Sequence, residues 1–231
     1  MNLLGFAMRT IASCAQTTQA AKEATTVENS EKIPTTVLKR LPIYLHFVKY
    51  MYPDNNDYVS SAIIAKALNL GEVQVRKDLQ LVSGAGKPKV GYVRKELICH
   101  LEQALDVHAK VNAILVGVGH LGKALLYSDG FSEYGIEIVG AFDVADKQLR
   151  DGRKALSPDV MPQFCREHDV TIGIITTPES QAQKVADELV DCGVKAIWNF
   201  APTVLRVPDN VKVKNENLAS SLAVLAVQCS K

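Results

Sequence analysis

The stretch ILVGVGHLG, residues 114–122, restricts the fold of this chain more than any other feature. Residues 113–116 form a short apolar run typical of a strand buried in a parallel sheet, and glycines follow with G-x-G-x-x-G spacing. In such a turn the first glycine permits the tight bend, the second lets a pyrophosphate approach the backbone, and the third lets the next helix close onto the strand. We therefore predict a nucleotide-binding βαβ unit whose candidate contacts are Gly117, Val118, Gly119, His120, Leu121 and Gly122.

The second predicted strand of this unit ends at Asp143, 21 residues after Gly122. A carboxylate at this place can accept hydrogen bonds from the ribose hydroxyls of an adenosine, and it repels a 2′-phosphate. The pattern favours NAD(H) as the cofactor, while Lys147 and Arg150 nearby leave NADP(H) open.

Two further parallel strands are predicted in VTIGIITTP and VKAIWNFAP, and the amphipathic helix between them ends at Gly193. In open α/β sheets, ligands bind beyond the carboxyl ends of the strands, at the point where the strand order reverses. This rule adds, as candidate cofactor contacts, Thr176, Thr177, Pro178, Asn199 and Phe200.

The region upstream of the glycine turn has the pattern of a winged helix-turn-helix. Residues 38–52 predict one amphipathic helix, and residues 58–82 predict two helices with a break at 69–71. In this interpretation Ser60 or Ser61 caps the first of the two helices, and Gly71 relieves the backbone at the break. The segment GAGKPKVGYV predicts a small β-hairpin wing.

The second helix of the pair has two different faces. Val75, Leu79 and Val82 form a narrow apolar stripe, and basic residues lie opposite it. A recognition helix of this kind enters the major groove, where an arginine can reach guanine edges while lysines neutralise phosphates. The candidate DNA contacts are Ser60, Ser61, Gln74, Arg76, Lys77, Gln80, Lys87 and Lys89.

These patterns divide the chain into five predicted parts. They are a flexible tail (1–36), a winged-helix domain (37–95), a helical linker (96–109), a Rossmann-like domain (110–209) and a C-terminal strand and helix (210–231). In the last helix Leu218, Leu222 and Leu225 form a stripe that needs a partner surface. The fold class is therefore α/β with an N-terminal winged helix.

Composition excludes several other classes. The chain has 231 residues, 47% of them hydrophobic, but no apolar run of the roughly eighteen residues that a membrane span requires. We expect a cytoplasmic protein without a membrane partner. Its five cysteines form no CxxC pair, so we expect free thiols and no metal site.

We assign no catalytic residue. His120 lies inside the glycine turn and His168 in a predicted surface helix, so neither is placed as the proton donor or acceptor that hydride transfer requires. Only about twenty residues follow the last Rossmann-like strand, too few for a catalytic domain.

Taken together and in this order, seven segments resemble the Rex family of redox-sensing transcriptional repressors. The segments are VSS (59–61), QVRKDL (74–79), GKPKVGY (86–92), VGVGHLG (116–122), AFDV (141–144), NFAP (199–202) and NLASSL (217–222). The resemblance implies a homodimer that reads a palindromic operator with two winged helices, binds NAD(H) in two Rossmann-like domains and exchanges its last helix between subunits. It also implies that NADH releases the repressor from DNA, whereas NAD+ is compatible with DNA binding.

The chain departs from the family at several places. After the recognition helix it has DLQLVSGAGKPKVGY where the family commonly has DLSYFGEFGKRGVGY, and residues 128–130 read Ser-Asp-Gly instead of Tyr-Pro-Gly. His46 stands where the family often has arginine, and Asn217 where it often has aspartate. We hypothesise that coupling between ligand and DNA is weaker or differently arranged here. Two alternatives stay open: an NAD(H)-binding relative with altered or lost DNA coupling, and an NAD-dependent oxidoreductase.

Overall fold

The computed structural model describes residues 33–152 and 154–229, and the chain divides into two units, 1–106 and 107–231. Residues 1–32 of the predicted tail (1–36) lie outside the described residues. The last two residues of that tail, 35 and 36, belong to a helix that begins at Thr35. None of the described helices has the length and apolarity that crossing a bilayer requires.

The first unit is a small helical domain with a two-stranded sheet. Its elements in chain order are α1 (Thr35–Leu38), α2 (Leu41–His46), a π-helical turn (Phe47–Met51), β1 (Tyr58–Val59), α3 (Ser61–Leu68), α4 (Glu72–Ser83), β2 (Tyr92–Val93) and α5 (Arg94–Ala104). β1 and β2 pair antiparallel. Leu41 and Val48 from the first helices, Val75 and Leu79 from α4, and side chains of α5 make the core, so α5 belongs to this unit.

The prediction of one amphipathic helix over residues 38–52 was wrong in detail. α1 ends at Leu38, and α2 begins at Leu41 with Pro42 in its first turn, a position where the missing N–H of proline costs nothing. The chain then widens into a π-helical turn, which the N–H of Tyr52 closes by donating to the Phe47 carbonyl at 2.8 Å.

The break between α3 and α4 lies where it was predicted, but a different residue makes it. Asn69 adopts the left-handed conformation at φ 53°, whereas Gly71 has φ −70° and precedes the first residue of α4. Asparagine tolerates this region because its short side chain adds little steric strain. Ser60, and not Ser61, caps α3 by accepting from the Ile63 N–H at 3.3 Å.

The second unit contains a five-stranded parallel sheet with the order β4-β3-β5-β6-β7. The strands are β3 (Val111–Val116), β4 (Ile136–Phe142), β5 (Val170–Ile175), β6 (Ala196–Asn199) and β7 (Lys212–Asn215). The α-helices are α6 (His120–Leu126), α7 (Met161–Glu167), α8 (Glu179–Asp191) and α9 (Leu218–Cys229). The chain runs outward from β3 in both directions, so the strand order reverses between β3 and β5.

Candidate functional site

The glycine turn lies at this reversal point, and it packs against the loop that follows β5. Gly117 has φ 101°, and a Cβ at that position would lie 2.8 Å from the carbonyl carbon of Thr176. The hydroxyl of Thr176 donates to the Gly117 carbonyl at 2.6 Å. The switch-point rule predicted that the glycine turn and the loop after β5 lie side by side, and this hydrogen bond joins them directly.

The other two glycines of the turn have opposite surroundings. A Cβ at Gly119 would meet no heavy atom within 4 Å, so its backbone is open to a ligand. A Cβ at Gly122 would collide with the Gly117 carbonyl oxygen. Gly122 therefore allows helix and strand to approach, while Gly119 leaves space in front of the N-terminus of α6, whose first amides carry partial positive charge.

Asp143 lies directly after β4 and holds the turn in shape. Its Oδ2 accepts from the Val118 N–H at 2.7 Å, and its Oδ1 accepts from the Ala145 N–H at 2.9 Å. A carboxylate oxygen has two lone pairs, so both oxygens retain capacity for a ribose hydroxyl. Nearby, the guanidinium of Arg150 lies over the ring of Tyr127, 4.8 Å from its centroid.

Thr177 carries an unsatisfied polar atom at the same edge. Its Oγ1 is buried and has no hydrogen-bond partner within the described ranges 33–152 and 154–229. Buried hydroxyls normally have a partner, and a bound ligand or water is the usual explanation for one that lacks it. The neighbouring backbone is close to the turn, because a Cβ on Gly117 would lie 2.9 Å from the Thr177 nitrogen.

Asn199 is a buried residue at the end of β6, and its side chain makes hydrogen bonds to the loop that follows. Its side chain is fully buried, its Nδ2 donates to Thr203 O at 3.0 Å and to Asn215 Oδ1 at 2.9 Å, and its Oδ1 accepts from the Ala201 N–H at 3.0 Å. It orders the loop after β6 by these hydrogen bonds. Pro178 and His120, in contrast, are exposed at the edge of the sheet.

An aromatic cluster lies beside this loop, and it joins the predicted Phe200 to Trp198 and Phe131, which the sequence reasoning missed. Phe200 is half-buried, and its ring is 4.5 Å from that of Trp198, which in turn meets Phe131 edge-on at 5.8 Å. The indole N–H of Trp198 donates to Glu216 Oε1 at 3.3 Å. Trp198 is the only tryptophan of the chain, which makes it a spectroscopic reporter for this edge.

In the first unit, α4 presents the predicted polar face to solvent. Gln74, Arg76, Lys77 and Gln80 are all exposed, while Val75 and Leu79 are fully buried. Ser60 and Ser61 are partly exposed at the start of α3.

Asp78 lies on the buried side of α4, and sequence reasoning did not single it out. It is 4% exposed and accepts from Arg40 Nε at 2.7 Å, from Arg40 Nη2 at 2.8 Å and from the Tyr44 hydroxyl at 2.8 Å. Burial, followed by the hydrogen bond to this carboxylate, raises the pKa of Tyr44 to about 12. The position of Asp78, three residues after Val75 on the apolar stripe, was the signal for a buried charge pair.

The wing is a tight turn stabilised by Lys87 and Gly91, whose backbone groups exchange hydrogen bonds of 2.7 and 2.9 Å. The Val90 N–H donates to the Lys87 carbonyl at 3.2 Å, and Lys89, the third residue of this turn, has φ 63°. This is a type II arrangement with Pro88 in second place, and its third position usually holds glycine. Lys87 and Lys89 are both exposed.

The last helix, α9, has no buried residue. Leu218, Leu222 and Leu225 are 54–67% exposed, as a stripe in need of a partner surface would be. Asn217 caps this helix, because its Oδ1 accepts from the Ser220 N–H at 2.9 Å. His46, in the first unit, is exposed and lies 5.2 Å from the ring of Tyr50.

Two of the cysteines meet inside the second unit. Burial, and then the neighbouring thiol of Cys192, raises the pKa of Cys165 to about 12. Both are free thiols, as is Cys229. Cys99 Sγ accepts from the side-chain amide of Gln103 at 3.5 Å, and Cys14 lies outside the described residues. Across the described ranges, His, Cys, Asp and Glu side chains do not gather in threes as a metal site would need.

The fold and these two sites define a class of protein: a winged helix-turn-helix joined to a Rossmann-like nucleotide-binding unit. A family model described as a putative DNA-binding protein N-terminus matches residues 32–80, and one described as a CoA binding domain matches residues 108–203. The redox-sensing transcriptional repressors Rex of Bacteroides fragilis and Carboxydothermus hydrogenoformans are 40% and 42% identical to this chain. The alignments cover 86% and 84% of this chain, and 91% and 95% of those proteins.

Solved structures agree with this likeness. The crystal structure of RSP in complex with beta-NAD+ and operator DNA is 30% identical, with a TM-score of 0.77 over 85% of this chain and 92% of that one. RSP in complex with beta-NADH gives a TM-score of 0.75 at 29% identity, over 87% of this chain and 95% of that one. The chain belongs to the Rex family of redox-sensing transcriptional repressors. These relatives are named as transcriptional repressors, which agrees with the prediction that this chain has no catalytic residue.

Proposed function

We propose that the second unit binds NAD(H) at the glycine turn. The carrying observation is the open backbone of Gly119 at the N-terminus of α6, because this is where a pyrophosphate meets orphan amides without a side chain in the way. Asp143 lies at the strand end where it would accept from ribose hydroxyls, and the unsatisfied Thr177 hydroxyl supplies a further polar contact. CoA, which the description of the matching family names, shares the adenosine diphosphate portion with NAD(H), so CoA is the proper control ligand.

We propose that the first unit binds operator DNA through α4 and the wing. Arg76 would read base edges in the major groove, while Lys77, Lys87 and Lys89 neutralise phosphates. Support comes from the exposure of these side chains opposite the buried stripe. Between residues 38 and 92 the chain carries eight Lys and Arg against four Asp and Glu, which favours a polyanionic partner.

We infer that two copies pair through α9, whose exposed leucines require cover. In such a homodimer, NADH binding and DNA binding are thermodynamically linked if the dimer conformation that binds NADH best differs from the one that fits the operator. A tenfold release of DNA then needs about 1.4 kcal/mol of differential NADH binding. Phe200 and Leu218 are candidate neighbours of the nicotinamide. The reduced ring is uncharged, so its desolvation in an apolar pocket costs less free energy than that of the cationic oxidised ring.

We further propose that NADH lowers operator affinity less here than in the family at large. The proposal depends on His46 and Asn217, which stand at places where the family often has arginine and aspartate. Asn217 instead caps α9. The predicted domain limits, with α5 counted in the first unit and not in a linker, belong to the same proposal, as does a cytoplasmic location, where genomic DNA and NAD(H) are both present.

Operator binding tests this function. Duplex affinity is measured at fixed salt with NADH, with NAD+ and without ligand, and Arg76→Ala is the control that should lose about 1–3 kcal/mol of binding. We expect tighter binding with NAD+ than with NADH. Equal affinity in all three conditions would favour a relative that has lost DNA coupling, and a full family-like release would contradict the weaker-coupling hypothesis.

Ligand binding is measured separately through Trp198. Tryptophan emission overlaps the absorption of reduced nicotinamide, so bound NADH should quench Trp198 fluorescence by energy transfer. NAD+ should displace NADH and restore the emission, whereas CoA should not if the site is specific for NAD(H).

A further inference from the structure

Val73, in the first turn of α4, is an apolar side chain that the fold leaves in solvent. It is 56% exposed, although valine is among the residue types most often buried. α4 begins at Glu72, so Val73 is the second residue of this helix. Val75 and Leu79 on the same helix are fully buried, so Val73 takes no part in the core that they help to form.

Val73 lies at the centre of the polar face of α4. At about 100° per residue, Arg76 and Gln80 lie about 60° and 20° to one side of it, and Lys77 lies about 40° to the other. All three of these side chains are exposed. Val73 is therefore flanked by the groups that are proposed to contact DNA, and it points away from the buried stripe.

The neighbours of Val73 indicate which partner would cover it. The cores of protein–protein interfaces concentrate apolar and aromatic side chains and are depleted in lysine, whereas Val73 is bordered by two cations and an amide. Those cations are complementary in charge to a nucleic-acid duplex. In the major groove the base edges of DNA present one apolar group, the 5-methyl of thymine, and small apolar side chains contact it.

The position along the helix also fits a base contact, because the N-terminal residues of a recognition helix reach the base edges. We propose that Val73 packs against the 5-methyl of a thymine in the operator and is a specificity-determining residue for that base pair. The inference rests on the proposed DNA-binding function of α4.

The proposal also places the thymine relative to a second base. Side chains three residues apart on a helix are separated by about 5–6 Å, which is less than two base-pair steps of about 3.4 Å. The thymine that Val73 contacts therefore lies within about two base pairs of the guanine proposed for Arg76.

A randomised duplex library and a single-methyl substitution test the inference with the full chain. Duplexes are selected in the presence of NAD+ by the wild type and by Val73→Ala, and the thymine whose preference falls in Val73→Ala is identified. Uracil, which lacks only the methyl group, then replaces that thymine in one half-site. We expect uracil to lower wild-type affinity about fourfold, which corresponds to about 0.8 kcal/mol for one buried apolar carbon. In Val73→Ala the same replacement should change the affinity by less than about twofold, because the γ-methyl groups of valine are gone.

Leu81→Ala is the matched control. Leu81 is 54% exposed on the same helix, but it lies in the last turn, about 12 Å from Val73 along the helix axis. Leu81→Ala should keep both the selected sequence and the fourfold effect of uracil. Neither truncation should unfold the protein, since both side chains are exposed, and urea unfolding of the two variants checks this.

An equal effect of uracil in the wild type and in Val73→Ala would overturn the inference. A wild-type selection in which no thymine depends on Val73, or loss of the uracil effect in Leu81→Ala, would overturn it as well. If the wild type selects no duplex even at low salt, the proposed DNA-binding function fails together with the inference, which distinguishes that failure from a wrong base preference.

Discussion

The carboxylate of Asp143 accepts a hydrogen bond from the backbone N–H of Val118, 2.7 Å away. Because the two residues lie on different loops, this bond keeps the glycine turn in its shape without a ligand. Asp143 thus shapes the turn, and in the proposed NAD(H) site it would also carry the charge that faces the adenosine ribose.

We expect Asp143→Ala to weaken NADH binding by about 1.5–3 kcal/mol, the range for a lost hydrogen bond to a charged group. Removal of the negative charge should also raise the affinity for NADPH relative to NADH. The control is Asp146→Ala, which removes an exposed carboxylate paired with Lys154. Calorimetric titration of both ligands checks this, and equal NADH affinity in the two variants would contradict it.

Two glycines of the turn should respond in opposite ways to alanine. Gly119→Ala meets nothing within 4 Å, so its unfolding free energy should stay within about 0.5 kcal/mol of the wild type while NADH binding is lost. Gly122→Ala forces a methyl group against the Gly117 carbonyl and should cost about 1–3 kcal/mol of stability. Urea unfolding together with NADH titration separates the two effects. Undiminished NADH binding by Gly119→Ala would show that the open space is not a ligand site.

Alkaline pH should destabilise the first unit through Tyr44, which is hydrogen-bonded to Asp78 on the buried side of α4. The pKa of Tyr44 is raised in the folded state to about 12, above its unfolded value of about 10. Its contribution to stability is therefore complete below pH 10 and is lost as pH rises from 10 towards 12. We expect the unfolding free energy, measured with urea, to fall more over this pH window in the wild type than in Tyr44→Phe. An equal fall in both proteins would contradict the raised pKa of Tyr44.

The wing carries a lysine where its backbone favours glycine. Lys89→Gly should relieve left-handed strain of about 1–2 kcal/mol, partly offset by the greater freedom of glycine in the unfolded chain. The same change should weaken binding to all duplexes. It should also reduce the slope of log affinity against log salt concentration by about one, the contribution of one phosphate contact. Lys89→Asn, which tolerates this conformation, should lose DNA affinity equally. If Lys89→Gly keeps full affinity, Lys89 makes no phosphate contact.

Much of the second unit could be predicted because its signals are local. A buried strand, a glycine turn and a helix follow one another within residues 111–126, and Asp143 follows the next strand at a spacing that the βαβ geometry requires. Periodicity likewise revealed α4 and its exposed basic face.

The sequence by itself determined most helices and strands, though not the division of residues 38–52, and it determined which glycines open the turn, because backbone propensity and hydrophobic period act over a few residues. Only the tertiary structure decided which side chains become partners across the chain: Arg40 with Asp78, 38 positions away, and Asn199 with Asn215. It also decided that Asn69 takes the left-handed position and that Cys165 meets Cys192. Such pairings depend on how elements pack against one another, and desolvation in the packed core sets their strength.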